Sequence, residues 1–220
     1  MTTFAFIHGA GDVGWYWHLV EAELRNRGHD TVAPDLPVED DTAGLDRYAD
    51  VVIEAVGDRK DVVVVAQSFG GYVAPLVAAR IGARLIVLVA GMVPKAGETA
   101  EEMFRNTGWQ PTGLGDSSTI AVFYHDVPPE LAKQALAHER QQSDTPGAEP
   151  WPLAAWPDIP TRAVLGRQDR FFPAKWLRSV IRDRLGIEPD EIDSGHCPAL
   201  SRPRELAELL VGYAASESGR

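Results

Sequence analysis

The 220-residue chain has one cysteine, so no internal disulfide can form. A lone Cys197 suits a reducing compartment or simply a bulky core. No apolar run approaches the roughly 18 residues that a membrane helix needs. The first residues, Met1 to Ile7, carry no basic segment and reach His8 too soon for a signal peptide, so the expected location is the cytoplasm. No run of Lys or Arg stands out, and 21 basic against 32 acidic side chains leave a net charge of -11. That balance opposes non-specific binding to nucleic acid or an anionic membrane. The six histidines are scattered, with no His-x-x-x-His or Cys-x-x-Cys pair, so no metal and no cofactor is expected.

What is present is an alternation of strand and helix patterns. Phe4 to Ile7 is a short apolar run that ends in His8-Gly9-Ala10-Gly11-Asp12. A helix is expected from about Gly14 to Arg27, with Gly28 as its C-terminal cap. Thr31-Val32-Ala33 reads as a second strand, and Leu45, Tyr48, Val52 and Ala55 mark a second helix. Val62 to Ala66 and Leu85 to Val89 are apolar at every position, as strands are when helices cover both faces of a parallel sheet. Between them a helix runs from about Phe69 to Ile81, with Pro75 in conflict beyond its first turn. Thr161 to Leu165 is a fifth strand, followed by a helix from about Pro173 to Leu185. Glu188 to Ile192 is a polar edge strand, and a last helix starts near Ser201. Residues 215–220 are expected to fray. The sum is one α/β domain over residues 1–220, a doubly wound, mostly parallel six-stranded sheet flanked by helices.

From about Val93 to Pro157 no central strand is evident. Ala100 to Arg105, Asp116 to Tyr124 and Pro129 to Gln142 are helical candidates. A structureless loop of that length would be unusual, so a small helical cap inserted over one edge is the better reading. Met103, Phe104, Trp109, Phe123 and Tyr124 are its candidate pocket residues, with packing of the insertion as the plainer alternative for each.

Gln67-Ser68-Phe69-Gly70-Gly71 follows the third strand directly and opens a helix. A serine there sits at a sharp strand-to-helix turn, with its Oγ exposed and the Phe69 N–H at the helix start beside it. Serine is a poor nucleophile unless an imidazole takes its proton, and the imidazole needs a carboxylate to hold its tautomer. Asp169 and His196 follow in the order Ser, Asp, His, each in a loop after a strand. Such loops gather at the carboxyl edge of a parallel sheet. The plainer readings are a small turn residue at Ser68, a helix cap at Asp169 and a surface histidine at His196. Asp193 and Asp190 are rival carboxylates; Asp169 is preferred because it follows a sheet strand.

Four stretches carry a family resemblance: Phe6-Ile7-His8-Gly9-Ala10-Gly11, Gln67-Ser68-Phe69-Gly70-Gly71, Leu165-Gly166-Arg167-Gln168-Asp169 and Gly195-His196. The chain resembles α/β-hydrolases of the small branch that holds plant methyl esterases and hydroxynitrile lyases. One departure is Ala66, where the family's turn has glycine. The resemblance implies an oxyanion hole made by the backbone N–H groups of Ala10 and Phe69, with His8 holding the loop. It implies a serine hydrolase of small carboxylic esters with a small-molecule substrate, as monomer or homodimer. The alternatives are hydroxynitrile-lyase-like chemistry, for which relatives use a lysine of the insertion (here Lys95 or Lys133), and an idle ligand-binding member. Gly9-Ala10-Gly11-Asp12-Val13-Gly14 also matches a dinucleotide fingerprint with Asp35 as its acid. That reading leaves the serine turn unexplained and puts Trp15-Tyr16-Trp17 where a pyrophosphate helix belongs.

Overall fold

In the computed structural model, which describes residues 1–217, six strands form one sheet. They are β1 (Thr3–Ile7), β2 (Asp30–Val32), β3 (Val62–Gln67), β4 (Leu85–Val89), β5 (Thr161–Gly166) and β6 (Asp190–Ile192). Their order is β2-β1-β3-β4-β5-β6, and every pairing is parallel. Side chains along each central strand alternate between two cores. Ala5, Ile7, Val62, Val64, Ala66, Ile86 and Leu88 enter one. Phe4, Phe6, Val63, Val65, Leu85, Val87 and Val89 enter the other. Helices α2 (Leu45–Val56), α3 (Gly70–Ile81) and α8 (Ala174–Leu185) cover the first face; α1 (His18–Asn26) and α10 (Pro203–Ser216) cover the second. Strands buried on both sides have no solvent face to mark with polar residues, hence the unbroken valines of β3.

The register decides where the loops meet. Ile7 lies opposite Ala66, so the loop leaving β1 and the turn leaving β3 emerge side by side. The strand order reverses here, with β1 between β2 and β3. Crevices of open α/β sheets form at such points.

The insertion between β4 and β5 carries α4 (Ala100–Thr107), α5 (Thr119–Phe123), α6 (Pro129–His138) and α7 (Thr145–Ala148). A capping box of Thr99 and Glu102 starts α4. Two buried ties anchor its base. Arg184 of α8 pairs with Glu98, Nη2 donating to Oε1 at 2.9 Å, and both side chains are 5% exposed. Trp151 donates its indole N–H to the Tyr72 carbonyl at 3.1 Å.

Several boundaries differ from the sequence expectation. The first helix opens as a 3-10 turn over Gly14–Trp17. The helix expected over Asp116 to Tyr124 is confined to Thr119–Phe123, with Ser118 capping it. α6 stops at His138 rather than Gln142, because the following chain bonds to the β1 loop instead. Arg140 N–H donates to the Gly11 carbonyl at 2.7 Å, and Gly11 N–H donates to Gln142 Oε1 at 2.9 Å. The last helix divides into α9 (Pro198–Ser201) and α10 at Pro203, which cannot donate a helical hydrogen bond. Fraying does not begin at Ala215. α10 reaches Ser216, and Arg162 holds the Glu217 carboxylate at 2.7 Å; the expectation for 218–220 lies outside the described residues. Helix α3 passes through Pro75, since its first nine residues are buried and one lost hydrogen bond is outweighed. Among the described residues no helix is long and apolar enough to cross a membrane.

Candidate active site

Ser68 stands at φ 50, in the left-handed region that few non-glycine residues occupy. Fixed neighbours hold it there. Its N–H donates to the Val89 carbonyl at 3.3 Å, and its carbonyl accepts from Met92 N–H at 2.9 Å. Gly71 follows because a Cβ there would lie 2.1 Å from the Met92 oxygen. The departure at Ala66 puts its methyl in the core of the sheet, where it is fully buried. Among the described residues the N–H groups of Ala10 and Phe69 have no hydrogen-bond acceptor.

Asp169 and His196 meet at the far end of the same edge. The imidazole Nδ1 lies 2.8 Å from Asp169 Oδ2, and the other carboxylate oxygen accepts from Phe171 and Phe172 N–H, each at 2.8 Å. Asp169 is fully enclosed and His196 is 2% exposed. With Nδ1 bound to the carboxylate, Nε2 is left buried and without a partner. Phe123, Phe171 and Phe172 pack edge-on around the ring at 5.0–5.4 Å, so the pair is shielded from water. Backbone contacts fix the histidine loop. Gln67 Nε2 donates to the His196 carbonyl at 3.3 Å, and Gly195 N–H donates to Asp126 Oδ2 at 2.8 Å. Gly166 lets the acid and histidine loops close, since a Cβ there would meet the Gly195 oxygen at 2.3 Å. The rival carboxylates are engaged elsewhere. Asp193 accepts from Gln168 Nε2 at 2.8 Å, and Asp190 from the Tyr213 hydroxyl at 2.6 Å.

Ser68 and His196 open onto one cavity of about 300 Å³. Ala10, Phe123 and Tyr124 also line it. The other three aromatic and methionine candidates lie elsewhere. Met103 is fully buried in the core beneath the insertion. Phe104 packs tilted or edge-on against Trp109, Phe171, Phe172 and Trp176, and Trp109 meets Phe171 edge-on and donates its indole N–H to the Phe171 carbonyl at 2.9 Å. Sequence reasoning missed Phe171, Asp12 and Glu139 as cavity walls. Phe171 had a signal, two residues beyond the acid. Glu139 had none, because its place depends on where α6 ends.

Comparison with known proteins adds the family. The family described as "Alpha/beta hydrolase family" matches residues 4–209. The chain belongs to that family. Among curated relatives it is similar to the probable esterase PIR7A of Oryza sativa, 27% identical over 96% of each chain. It is also similar to methylesterase 7 of Arabidopsis thaliana, 25% identical over 96% of this chain and 95% of that one. Among solved structures, polyneuridine aldehyde esterase superposes with a TM-score of 0.83 at 18% identity, covering 97% of this chain and 99% of that one. The Arabidopsis methylesterase MES16 gives 0.81 at 19% identity, covering 98% and 100%.

In this esterase-like hydrolase the β1 loop has its own support. His8 is buried and neutral; burial pulls its pKa down to about 4. Its Nδ1–H donates to the Gly9 carbonyl at 2.9 Å, and its Nε2 accepts from Leu36 N–H at 3.0 Å. The apparent dinucleotide fingerprint has another explanation. Asp35 Oδ1 accepts from Gly14 N–H at 2.7 Å, and a Cβ on Gly14 would lie 2.0 Å from the Ala33 oxygen. Neither lysine of the insertion lines the Ser68 cavity. Lys133 pairs with Glu130 at 2.7 Å, and Lys95 lies beside Trp151 and Arg184.

Proposed function

We propose that this protein hydrolyses small carboxylic esters through an acyl-enzyme on Ser68. The observation that carries this reading is the His196 ring, tied to Asp169 through Nδ1, with its buried Nε2 unpartnered on the cavity that Ser68 lines. Nε2 takes the proton of Ser68 Oγ as the oxygen attacks the ester carbonyl. The Ala10 and Phe69 N–H groups receive the charge that develops on the carbonyl oxygen. His196 returns the proton to the departing alcohol. A water then attacks the acyl-enzyme, losing its proton to Nε2, which passes it to the departing Ser68 Oγ and so frees the acid and Ser68. Asp169 holds the ring in its reactive tautomer. The insertion over 93–157 acts as a cap, with Phe123 and Tyr124 roofing the serine. The esterase and methylesterase relatives support an ester as substrate.

The test is covalent labelling by a fluorophosphonate with peptide mass mapping, alongside Ser68→Ala. The label is expected on Ser68 alone, and the variant is expected to fold and lose all ester turnover. A label on another residue, or an active Ser68→Ala protein, overturns the assignment.

A further inference from the structure

The Ser68 cavity has a second chemical character at the wall formed by Asp12 and Glu139. Asp12 follows β1 in the loop that carries Ala10; Glu139 follows α6 in the insertion. Each carboxylate has one recorded protein donor. Asp12 Oδ1 accepts from Val13 N–H at 2.8 Å, and Glu139 Oε1 accepts from the Tyr124 hydroxyl at 2.9 Å. Among the described residues neither forms an ion pair, and Oδ2 of Asp12 and Oε2 of Glu139 accept no hydrogen bond. Two other carboxylates in this chain are better supplied: Glu98 has Arg184, and Asp169 has three donors.

The nearest cationic side chain on the wall is Arg140. It is exposed, and its Nη1 donates to the carbonyls of His138 and Glu139, not to either carboxylate. Burial lifts the Asp12 carboxyl to about 7, with Glu139 and Asp35 adding to the rise, and burial also raises Glu139. A partly buried pair of acids on a cavity wall, with spare acceptor lone pairs and no counter-ion, is a good arrangement for a cationic guest. The same cavity holds the unpartnered, buried Nε2 of His196, which independently marks it as a place where a ligand reacts.

We propose that the Asp12–Glu139 wall binds a protonated amine of the substrate, so that the preferred esters carry an ammonium group. This rests on the ester-hydrolase reading for the reaction, but not for the binding. The ammonium sits between Oδ2 of Asp12 and Oε2 of Glu139, donating an N–H to one and holding its charge beside the other, contacts that a neutral isostere cannot make. A site built to hydrogen-bond a substrate group rejects the analogue that lacks it far more strongly than an apolar wall rejects a missing methylene.

The experiment compares esters matched in shape. On the acyl side, methyl 4-(dimethylamino)butyrate is set against methyl 5-methylhexanoate. On the alcohol side, 2-(dimethylamino)ethyl acetate is set against 3-methylbutyl acetate. Wild-type protein is expected to favour the ammonium member of at least one pair by about tenfold or more in kcat/KM, chiefly through KM. Asp12→Asn combined with Glu139→Gln is expected to bring that ratio down towards one. A wild-type ratio at or below one in both pairs overturns the proposal. So does a preference that the double substitution leaves intact. Calorimetry of the same esters with Ser68→Ala protein separates the two readings. Ammonium-selective binding without wild-type turnover keeps this inference and sinks ester hydrolysis. Turnover without ammonium preference does the reverse.

Discussion

Asp169 and Asp12 both sit on strand-end loops beside the Ser68 cavity, and their surroundings differ in kind. Asp169 is fully enclosed, and its two oxygens accept from three groups: His196 Nδ1–H and the N–H groups of Phe171 and Phe172. Asp12 has a single backbone donor from the next residue, and a second carboxylate, Glu139, for a neighbour. A carboxylate whose lone pairs are used up inside the protein can orient a partner but has nothing to offer a ligand. One left with spare lone pairs in a cavity is available to a ligand and costs folding stability until it is used. The contrast separates a positioning acid from a binding acid without reference to the reaction.

The sharpest way to break the comparison is at Asp169. Asp169→Asn keeps the size of the side chain but removes the charge that holds the imidazole tautomer, so the acylation rate should fall by about 10³ to 10⁴. Asp193→Asn, three residues from His196 but bonded to Gln168, should cost less than about tenfold by the same measure of the cost of a surface substitution. Pre-steady-state release of nitrophenol from a nitrophenyl ester reads both. Equal losses, or a larger one at Asp193, would transfer the orienting role away from Asp169.

That distinction was partly readable beforehand. The order of Ser68, Asp169 and His196, each after a strand, follows from apolar runs and turn residues close to one another in sequence. The central strands β1, β3 and β4 were legible for the same reason, because strands covered on both faces are apolar almost throughout. The insertion was not legible in the same way. Met103 and Phe123 are both apolar residues on short helices, yet Met103 enters the core and Phe123 walls the cavity. Their difference arises from contacts with α3, α8 and the acid loop, which no local period encodes. Glu139 is the extreme case. Its position depends on α6 ending early, which depends on Gly11 and Gln142 meeting across 131 residues of chain.

The comparison sharpens in acid, where His8 and Asp12 pull stability in opposite directions. His8 is held neutral, its pKa lowered from 6.5 to about 4 by burial. The stability this represents is fully present above pH 6.5 and is lost as the pH falls from there to about 4, roughly 3 kcal/mol at about 1.4 kcal/mol per tenfold change in proton affinity. Asp12 has the reverse sign. Its carboxyl is raised from 3.8 to about 7, so its ionised form is a burden above pH 7 that lifts as the pH falls towards 3.8. Asp12→Asn removes only the second effect. Urea unfolding at pH 7, 5.5 and 4.5 should show the variant losing stability more steeply than wild type on acidification. Parallel curves would mean that Asp12 is not under the strain assigned to it.

The smallest effect concerns the size of the cavity rather than its charge. At about 300 Å³ it lies at the lower end of ligand pockets, and Phe123 and Phe171 wall it beside the His196 ring. The two rings are 4.9 Å apart and lean on each other, so neither can swing aside without losing its partner. Among neutral substrates, kcat/KM should therefore be highest for butyrate or phenylacetate nitrophenyl esters and fall by roughly tenfold at octanoate, the range expected of small misfits in an apolar pocket. Beyond the rings lies an apolar groove lined by Trp109, Leu114 and Val122. Phe123→Ala should open a way into it and raise the octanoate rate relative to butyrate, while the acidic wall at Asp12 is left untouched. A wild-type rate that climbs steadily to octanoate would show that the aromatic wall already yields to a long chain. In that case the cavity would be bounded by charge alone, and the acidic wall would carry all of its selectivity.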